Sequence, residues 1–255
     1  MSYRITRNSF APKATHSENI DIEHNSHGII YLKCNFRCEF CCMDFENFKK
    51  YIEYDEFSFT AAVLRLMQSG KNFKFSGGES TLNPNLKRDL QIVKKLGGTV
   101  FLDSNGSNPE VIKDLLNEGL IDVLGISLKG LSKEDCMKTA NIKNGDLCWK
   151  RTFETIAAAA AKPEVKVIVT HVCFDNVDMA ELERFAELLA PYKNVYYKIN
   201  NLLGKPEDSN LKKIDSDYLV SLLNEFKIKY PQWEGKIIYI DTIEGMSQHN
   251  KILFL

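Results

Sequence analysis

Four of the seven cysteines of this chain fall within nine consecutive positions. Cys34, Cys38, Cys41 and Cys42 occur in the segment YLKCNFRCEFCCMDF, which follows a short apolar run. The spacing Cys34-x3-Cys38-x2-Cys41 places three thiols on one loop, and thiolate ligands select zinc, copper(I) or iron–sulfur clusters. Neighbouring side chains of an extended loop diverge, so we do not expect Cys42 to join Cys41 as a fourth ligand. The segment therefore predicts a metal centre held by three cysteines.

The composition and charge are those of an ordinary globular protein. The chain has 255 residues, 33 Lys plus Arg against 34 Asp plus Glu, and 44% hydrophobic residues. This balance supplies no general attraction to nucleic acid or to an anionic membrane surface, so we expect neither as a partner. The first residues, MSYRITRNSF, contain no apolar signal segment, and no run approaches the ~18 apolar residues of a membrane helix. We expect a cytoplasmic protein, in which clustered cysteines indicate metal or redox chemistry.

Apolar strand patterns and amphipathic helix patterns alternate from Gly28 onward. Six successive β-α units predict a parallel sheet with crossover helices, and hence an α/β fold of the incomplete (β/α)6 TIM-like barrel type. No linker or break in composition is visible, so we expect a single domain over residues 1–255. It would comprise a polar N-terminal arm (1–27), a barrel core (28–205), and a C-terminal helix and strand (206–255).

Polar and glycine-rich groups follow the predicted strands at corresponding positions. The carboxyl ends of parallel barrel strands carry the reacting groups, so these side chains are expected to converge. In chain order they are Cys34, Gly77-Gly78-Glu79, Asp103-Ser104-Asn105-Gly106, Ser127-Leu128-Lys129, Thr170 with His171, and Asn200-Asn201. The sequence therefore predicts one site assembled from every unit of the barrel.

Two of these segments together resemble the signatures of a known superfamily. Cys34-x3-Cys38-x-Phe40-Cys41, with an aromatic residue before the last cysteine, resembles the cluster motif of the radical S-adenosylmethionine enzymes. The segment SGGES, residues 76–80, resembles the glycine-glycine-glutamate motif of the same enzymes and follows the next strand. The resemblance extends over residues 28–205 and implies an enzyme.

The resemblance implies both the cofactors and the reaction. Cys34, Cys38 and Cys41 would hold a [4Fe–4S] cluster, whose remaining iron would bind the amino and carboxylate groups of S-adenosylmethionine (SAM). Phe40 would lie beside the adenine. After reduction by a protein such as flavodoxin or ferredoxin, the cluster would cleave SAM to methionine and a 5′-deoxyadenosyl radical. That radical would abstract hydrogen from a substrate, while the protein positions the reactants and excludes quenching.

The glycine motif acquires specific roles by the same resemblance. Gly77 and Gly78 would let the backbone approach the methionine moiety of SAM, because glycine carries no Cβ. Glu79 would accept the ammonium group, for which a carboxylate is the natural partner in a partly desolvated site. Taken alone, these residues are equally typical of an ordinary turn at the end of a strand.

Three later segments, FLDSNG, GISLKG and KINNLLGKPED, resemble one subfamily, the glycyl-radical-enzyme activases of the pyruvate formate-lyase activating type. By that resemblance Asp103 and Ser104 would flank the nucleoside or methionine, Lys129 would contact the methionine carboxylate, and Asn201 would lie near the ribose. Ser127 occupies a position where these activases typically carry aspartate, and we include it among the cofactor-binding residues. The implied substrate is a glycine residue of a partner glycyl radical enzyme.

Other interpretations remain open from the residues alone. The cysteines could hold a structural zinc ion with Cys42 or a distant histidine, although no second cysteine pair is present. The chain could act on a small molecule or peptide, or be a metal-binding electron-transfer or interaction protein without SAM chemistry. Cys136, Cys148 and Cys173 are expected to be buried thiols. His171 is equally consistent with a core position and a site position.

Overall fold

A nine-stranded sheet forms the centre of the fold in the computed structural model, which describes residues 3–7, 26–41, 54–202, 209–233, 235–242 and 250–254. Neighbours in the sheet are neighbours in the chain, and β2 to β8 are all parallel. The strands are β1 (Tyr3–Arg7), β2 (His27–Tyr31), β3 (Asn72–Gly77), β4 (Thr99–Ser104), β5 (Val123–Leu128), β6 (Lys166–Cys173), β7 (Val195–Asn201), β8 (Ile237–Thr242) and β9 (Asn250–Phe254). Seven parallel strands alternating with helices confirm the predicted α/β class and the partial barrel.

The helices connect consecutive parallel strands. They are α1 (Glu56–Met67), α2 (Leu86–Lys95), α3 (Pro109–Asn117), α4 (Lys133–Ala140), α5 (Gly145–Cys148), α6 (Lys150–Ala160), α7 (Met179–Leu189) and α8 (Ser216–Lys229). Asp55, Asp178 and Asp215 begin α1, α7 and α8 by accepting a hydrogen bond from the backbone N–H three residues later. Over the described ranges, no helix has the length and apolar character needed to cross a bilayer.

The two faces of the sheet carry different side chains because successive strand residues point to opposite sides. On the outer face, Tyr197 of β7 packs against Phe185 of α7 and Phe226 of α8, with ring centroids 4.0 and 5.9 Å apart. The main hydrophobic core therefore lies between the sheet and its helices. A smaller apolar cluster occupies the inner face and consists of Phe101, Val123, Ile168 and Ile238, with Tyr196 against it.

The inner face becomes polar toward the carboxyl ends of the strands. Lys74 lies 4.5 Å above the Phe101 ring centroid and 3.1 Å from Asp103, so both charged groups face inward. By strand alternation the polar residues of this face in the middle and carboxyl-terminal parts of the strands are Lys74, Ser76, Asp103, Ser127, Thr170, Lys198 and Asn200, while Asn72, Thr99 and Lys166 lie at the opposite strand ends. The inner face thus combines an apolar floor with charged and amide groups near the rim.

The edge strands add detail that the sequence patterns did not reveal. Part of the segment expected to be a polar arm is β1, which pairs antiparallel with β2; residues 8–25 lie outside the described residues. The segment KIIYI forms β8, as predicted, and β9 pairs antiparallel with it. Among the described strands β1 and β9 do not pair with each other, so the barrel stays open at its side.

Candidate functional site

The cysteine loop, residues 32–41, follows the carboxyl end of β2 and carries all three predicted ligands. Phe36 is buried in the main core and anchors the loop. Cys34, Cys38 and Cys41 on either side of it are partly exposed, and the Cys41 N–H donates to the Cys38 carbonyl at 3.0 Å. The loop therefore presents three thiols at the rim while its middle is fixed in the core.

The end of helix α4 supports this loop from the side. The Arg37 and Glu39 N–H groups donate to the carbonyls of Ala140 and Thr139 at 3.0 and 3.1 Å. These are carbonyls of the last helical turn, which lack partners within the helix. The Arg37 guanidinium also donates to the Cys34 carbonyl at 2.9 Å. Backbone geometry around the cysteines is therefore set by a helix that the sequence patterns did not single out.

The glycine motif is hydrogen-bonded directly to the segment that leads into the cysteine loop. The Gly78 N–H donates to the Tyr31 carbonyl and the Glu79 N–H to the Lys33 carbonyl, both at 2.7 Å. A Cβ on Gly77, which has φ +108°, would lie 2.4 Å from the Tyr31 oxygen, and one on Gly78 would lie 2.1 Å from the Lys33 oxygen. The chain's own backbone contact therefore already requires both glycines, independently of any ligand.

Glu79 is almost completely buried, and neutral donors surround its carboxylate. Oε1 accepts from the Thr81 N–H, the Thr81 hydroxyl and the Ser104 hydroxyl at 3.1, 2.6 and 2.9 Å, and Oε2 accepts from the Asn105 N–H at 2.6 Å. Burial raises the pKa of Glu79, and these hydrogen bonds oppose the rise. Because a carboxylate oxygen can accept a second hydrogen bond, Oε2 retains capacity for a further donor.

A network of side-chain amides joins the cysteine loop to the loop after β4. Asn105 donates from Nδ2 to Asn35 Oδ1 at 2.8 Å, and Asn35 donates from Nδ2 to the Ser107 hydroxyl at 2.9 Å. The Ser107 N–H completes the network by donating to Asn105 Oδ1 at 3.0 Å. Sequence reasoning placed Asn105 among the converging polar groups but missed Asn35, and no local pattern pairs residues 70 positions apart.

Lys129 and Phe40 meet above the rim of β5. The Lys129 ammonium donates to the Ser127 hydroxyl at 2.6 Å and lies 5.1 Å from the Phe40 ring centroid. The Phe40 ring in turn lies 5.9 Å from that of Phe174, which follows β6. The structure therefore brings a cation and two aromatic rings from three separate segments next to the cysteines.

The cysteine thiols sit in an environment that suits a metal cluster. Burial raises the pKa values of Cys34 and Cys38, and the neighbouring Cys41 raises both further, whereas the Lys129 ammonium lowers them. Metal binding would therefore release thiol protons. Within the described ranges, no group of three ligands that includes these sulfurs has all its ligand atoms within 4.8 Å of one another. Three cysteine thiolates are nonetheless a ligand set that iron–sulfur clusters take in proteins.

Asp103 and Ser104 are consecutive but serve opposite faces of β4. Asp103 points inward, accepts from the Ser76 hydroxyl at 2.7 Å and pairs with Lys74. Ser104 points to the other side, where its hydroxyl donates to Glu79. The structure therefore assigns Ser104 to the support of the buried carboxylate and Asp103 to the polar inner face.

Asn201 lies apart from the other predicted site residues. It is fully buried on the outer face, where its amide donates to the Ile214 carbonyl and accepts from the N–H groups of Ile214 and Leu202. Its neighbour Asn200 points inward, and within the described residues its buried Oδ1 has no hydrogen-bond partner. The sequence assigned a site role to Asn201, whereas the backbone register turns Asn200 toward the interior. Cys42 lies outside the described residues.

A partial α/β barrel with a three-cysteine loop at the carboxyl edge of its strands defines a class of metal-dependent enzymes. The sequence model of the radical SAM superfamily matches residues 29–189, from β2 to the end of α7, and the chain belongs to that superfamily. Its cofactors are therefore a [4Fe–4S] cluster and SAM. The residues of the site fit these two cofactors. Three thiols, the Gly77-Gly78 pair and the buried Glu79 carboxylate lie in adjoining segments at the carboxyl edge of the sheet.

Two curated relatives show how far the similarity reaches. The chain is 26% identical over 184 residues to an S-adenosylmethionine-dependent nucleotide dehydratase from Thermoplasmatales archaeon (strain ISO4-H5), covering 70% of this chain and 63% of that protein. It is 29% identical over 124 residues to a Methanocaldococcus jannaschii protein named for glycyl-radical enzyme activation, covering 43% and 46%. The chain thus spans less than two thirds of either relative.

A solved structure gives the same fold. SuiB from Streptococcus suis, bound to S-adenosylmethionine, superposes with a TM-score of 0.61 at 16% identity, covering 87% of this chain and 52% of that protein. At this level of identity the similarity concerns the arrangement of strands and helices. It therefore supports the partial barrel independently of the sequence motifs.

Gly78→Ala should prevent assembly of the metal centre. The added methyl group would lie 2.1 Å from the Lys33 oxygen, so the backbone would shift and the two hydrogen bonds to β2 and its loop would break. After anaerobic reconstitution we expect iron content to fall below half of the roughly four atoms per chain of a [4Fe–4S] protein. Iron and sulfide analysis measures this outcome, with circular dichroism to verify folding.

Gly119→Ala is the matched control for this substitution. Gly119 has φ +64°, but a Cβ there would meet nothing within 4 Å. Backbone strain without a steric clash should leave the iron content at the wild-type level. Full iron loading of a folded Gly78→Ala protein would show that the close approach is not required for the metal centre.

Proposed function

We propose that Cys34, Cys38 and Cys41 hold the [4Fe–4S] cluster, and that the protein uses SAM to remove a hydrogen atom from a substrate. The observation that supports this best is the direct hydrogen bonding between the glycine motif and the backbone leading to Cys34. It joins the two superfamily motifs into one unit at the carboxyl edge of the parallel sheet. After one-electron reduction by its donor, a cluster at these cysteines would supply the electron that splits SAM into methionine and a 5′-deoxyadenosyl radical.

The methionine end of SAM would contact Glu79 and Lys129. Glu79 Oε2 accepts one hydrogen bond in the protein and retains capacity for the ammonium group. Because the donors already on Glu79 are neutral, that ammonium would be the charge that favours the ionised carboxylate in a buried site. Lys129, oriented by Ser127, offers a cation for the methionine carboxylate. Together the two side chains would fix both charged groups of the methionine.

The nucleoside end would lie along the aromatic and amide groups of the rim. The Phe40 and Phe174 rings offer apolar surface for the adenine. For the ribose we propose Asn200 in place of Asn201, because the Asn200 Oδ1 is buried without a partner and points to the inner face. Asp103 lies on the same face and would border the cofactor from β4.

The first substrate candidate is a glycine residue in a partner glycyl radical enzyme. Support comes from the relative named for that activation and from the ordered match of FLDSNG, GISLKG and KINNLLGKPED to activases. The described edge strands do not pair, so a loop of another protein could reach the inner face from the side. Such a contact would be transient, and transient interfaces are often small.

The second candidate is a small, charged molecule such as a nucleotide. The observation that favours it is the inner face, where Lys74, Asp103 and the buried Lys198 place charged groups beside the rim. A glycine residue in a protein loop offers no charged group to these lysines. The phosphate groups of a nucleotide are negatively charged and would bind them. The first of the two relatives above is named for action on a nucleotide.

The electron donor is proposed to be a small protein such as flavodoxin or ferredoxin. All three cysteines are partly exposed, so a cluster on them would lie close to the surface. Electron-transfer contacts of this kind bury little area and are weak. The donor therefore need not leave a large apolar patch on this chain.

Reductive cleavage of SAM should depend on the three cysteines. With dithionite and SAM under anaerobic conditions, the reconstituted protein should form 5′-deoxyadenosine and contain about four irons per chain. Cys38→Ala should abolish both, whereas Cys42→Ala should retain both because Cys42 is not a proposed ligand. A wild-type protein that takes up zinc alone and forms no 5′-deoxyadenosine would contradict the proposal.

Glu79→Gln should weaken SAM binding and leave the cluster spectrum unchanged. The lost contact is a hydrogen bond to a charged group worth roughly 1.5–3 kcal/mol, so we expect about a tenfold to hundredfold rise in Kd. Anaerobic calorimetry measures this change. Thr81→Val removes a neutral donor from Oε1 but keeps the charge, so its effect on Kd should be much smaller. Equal losses in both variants would indicate that Glu79 only shapes the loop.

Electron paramagnetic resonance can distinguish the two substrates. If the glycine candidate is correct, a partner glycyl radical enzyme mixed anaerobically with this protein, SAM and reductant should show a glycyl doublet. The same partner with its radical glycine changed to alanine should show none. If instead nucleoside triphosphates raise 5′-deoxyadenosine formation and are themselves converted, with no doublet on any partner tested, the nucleotide candidate replaces the first.

A further inference from the structure

A second group of metal-ligating side chains lies on the outer face of the sheet. His171 and Cys173 project from β6 to the same side, and Glu181 reaches them from the first turn of α7. One ligand atom from each residue lies within 4.8 Å of the other two, and the His171 Nε2 is 2.8 Å from Glu181 Oε1. The superfamily chemistry uses none of these three residues.

We propose that His171, Cys173 and Glu181 bind one zinc ion. Imidazole nitrogen, thiolate sulfur and carboxylate oxygen are the three kinds of protein ligand that zinc takes in tetrahedral sites. The thiol loses its proton to water on binding, and Glu181 supplies the second negative charge. The two anions then balance the double charge of the ion, so the buried site is neutral overall.

The hydrogen bonding of His171 points to a missing ligand. His171 is 7% exposed; in the described part of the chain its buried Nδ1 has no hydrogen-bond partner, while Nε2 is hydrogen-bonded to Glu181. Buried polar atoms of proteins almost always have a partner, so such an atom calls for an explanation. A metal ion bound at the ring nitrogen Nδ1 would supply the missing partner.

Cys173 differs in the same way from the other buried cysteines. The Cys136 sulfur donates to the Gly130 carbonyl at 3.4 Å, and the Cys148 sulfur donates to the Gly145 carbonyl at 3.5 Å. In the described part of the chain, the Cys173 sulfur has no such partner although the residue is 1% exposed. The buried thiol without a hydrogen-bond partner is therefore the one that lies beside the imidazole whose Nδ1 lacks a partner.

Glu181 also provides a route for the ion. Its side chain is 30% exposed and lines a cavity of about 510 Å³ between the start of α7 and the segment before α8. Asp175, Asp178 and Asp215 line the same cavity against one cation, Lys213. This excess of carboxylates would concentrate a divalent cation at the entrance to the buried ligands.

The proposed ion would connect two parts of the fold. It would fasten the carboxyl end of β6 to α7, and the residue that follows Cys173 is Phe174, whose ring lies 5.9 Å from Phe40 in the cysteine loop. Zinc at this position would therefore hold the strand end that supports the aromatic part of the rim. Its role is to position these groups, and the reaction at the cysteine loop does not pass through it.

Metal analysis of the iron-loaded protein tests the proposal. After incubation with zinc chloride and removal of free metal, the wild type should hold about one zinc per chain together with its iron. Glu181→Gln should bind zinc at least about tenfold more weakly, while Glu183→Gln, on the same helix, should match the wild type. Cys173→Ala should lose zinc, whereas Cys136→Ala should retain it.

The outcome is separable from that of the proposed function. Cys38→Ala should lose iron and keep zinc, and Glu181→Gln should lose zinc and keep iron. The zinc X-ray absorption spectrum of the wild type should show one sulfur with nitrogen and oxygen ligands. The proposal is overturned if the wild type retains no zinc, if zinc persists in both Cys173→Ala and Glu181→Gln, or if Cys38→Ala removes it.

Discussion

The close approach between β3 and the end of β2 is the contact on which the site depends. Two backbone hydrogen bonds, from Gly78 to Tyr31 and from Glu79 to Lys33, hold the strands together where the cysteine loop begins. Each contributes only about 1 kcal/mol, but their geometry excludes any side chain at residues 77 and 78. Since Cys34 directly follows Lys33, the position of the first proposed cluster ligand depends on this contact. The motif thus has a structural purpose before any cofactor binds.

A buried carboxylate is the second constraint, and it links ligand binding to order in the loops. Glu79 gathers donors from its own turn and from the loop after β4, and burial still raises its pKa. Neutral donors offset the cost of burying a charge only in part. A cationic ligand at Glu79 Oε2 would offset the remaining cost of burying the ionised carboxylate. The Asn105 N–H that donates to Glu79 belongs to the residue whose side chain reaches Asn35, so the buried carboxylate and the cysteine loop share one hydrogen-bonded network.

The side chains on the two faces of β6 and β7 line different parts of the structure. Inward-facing Lys198 and Asn200 belong to the space where a substrate would meet the cofactor, and outward-facing Asn201 closes the segment before α8. The outward-facing His171 and Cys173 form the proposed zinc site. Successive residues of a strand face opposite sides of the sheet. The register of the strand, and not only the identity of its residues, therefore decides which side chains reach the inner face.

Local patterns in the sequence, through their resemblance to known superfamily motifs, determined the class of the protein. Ligand spacing, glycine pairs and strand or helix periodicity each involve residues within a few positions, so the cysteine centre, the parallel sheet and its carboxyl-edge site could be predicted. Contacts between distant residues could not. The Asn35–Asn105 bridge, the support of Arg37 by Ala140, and the choice of Asn200 over Asn201 for the interior all depend on how strands and loops pack. Tertiary structure decided these, because packing sets which distant groups share a buried space, and local periodicity carries no record of it.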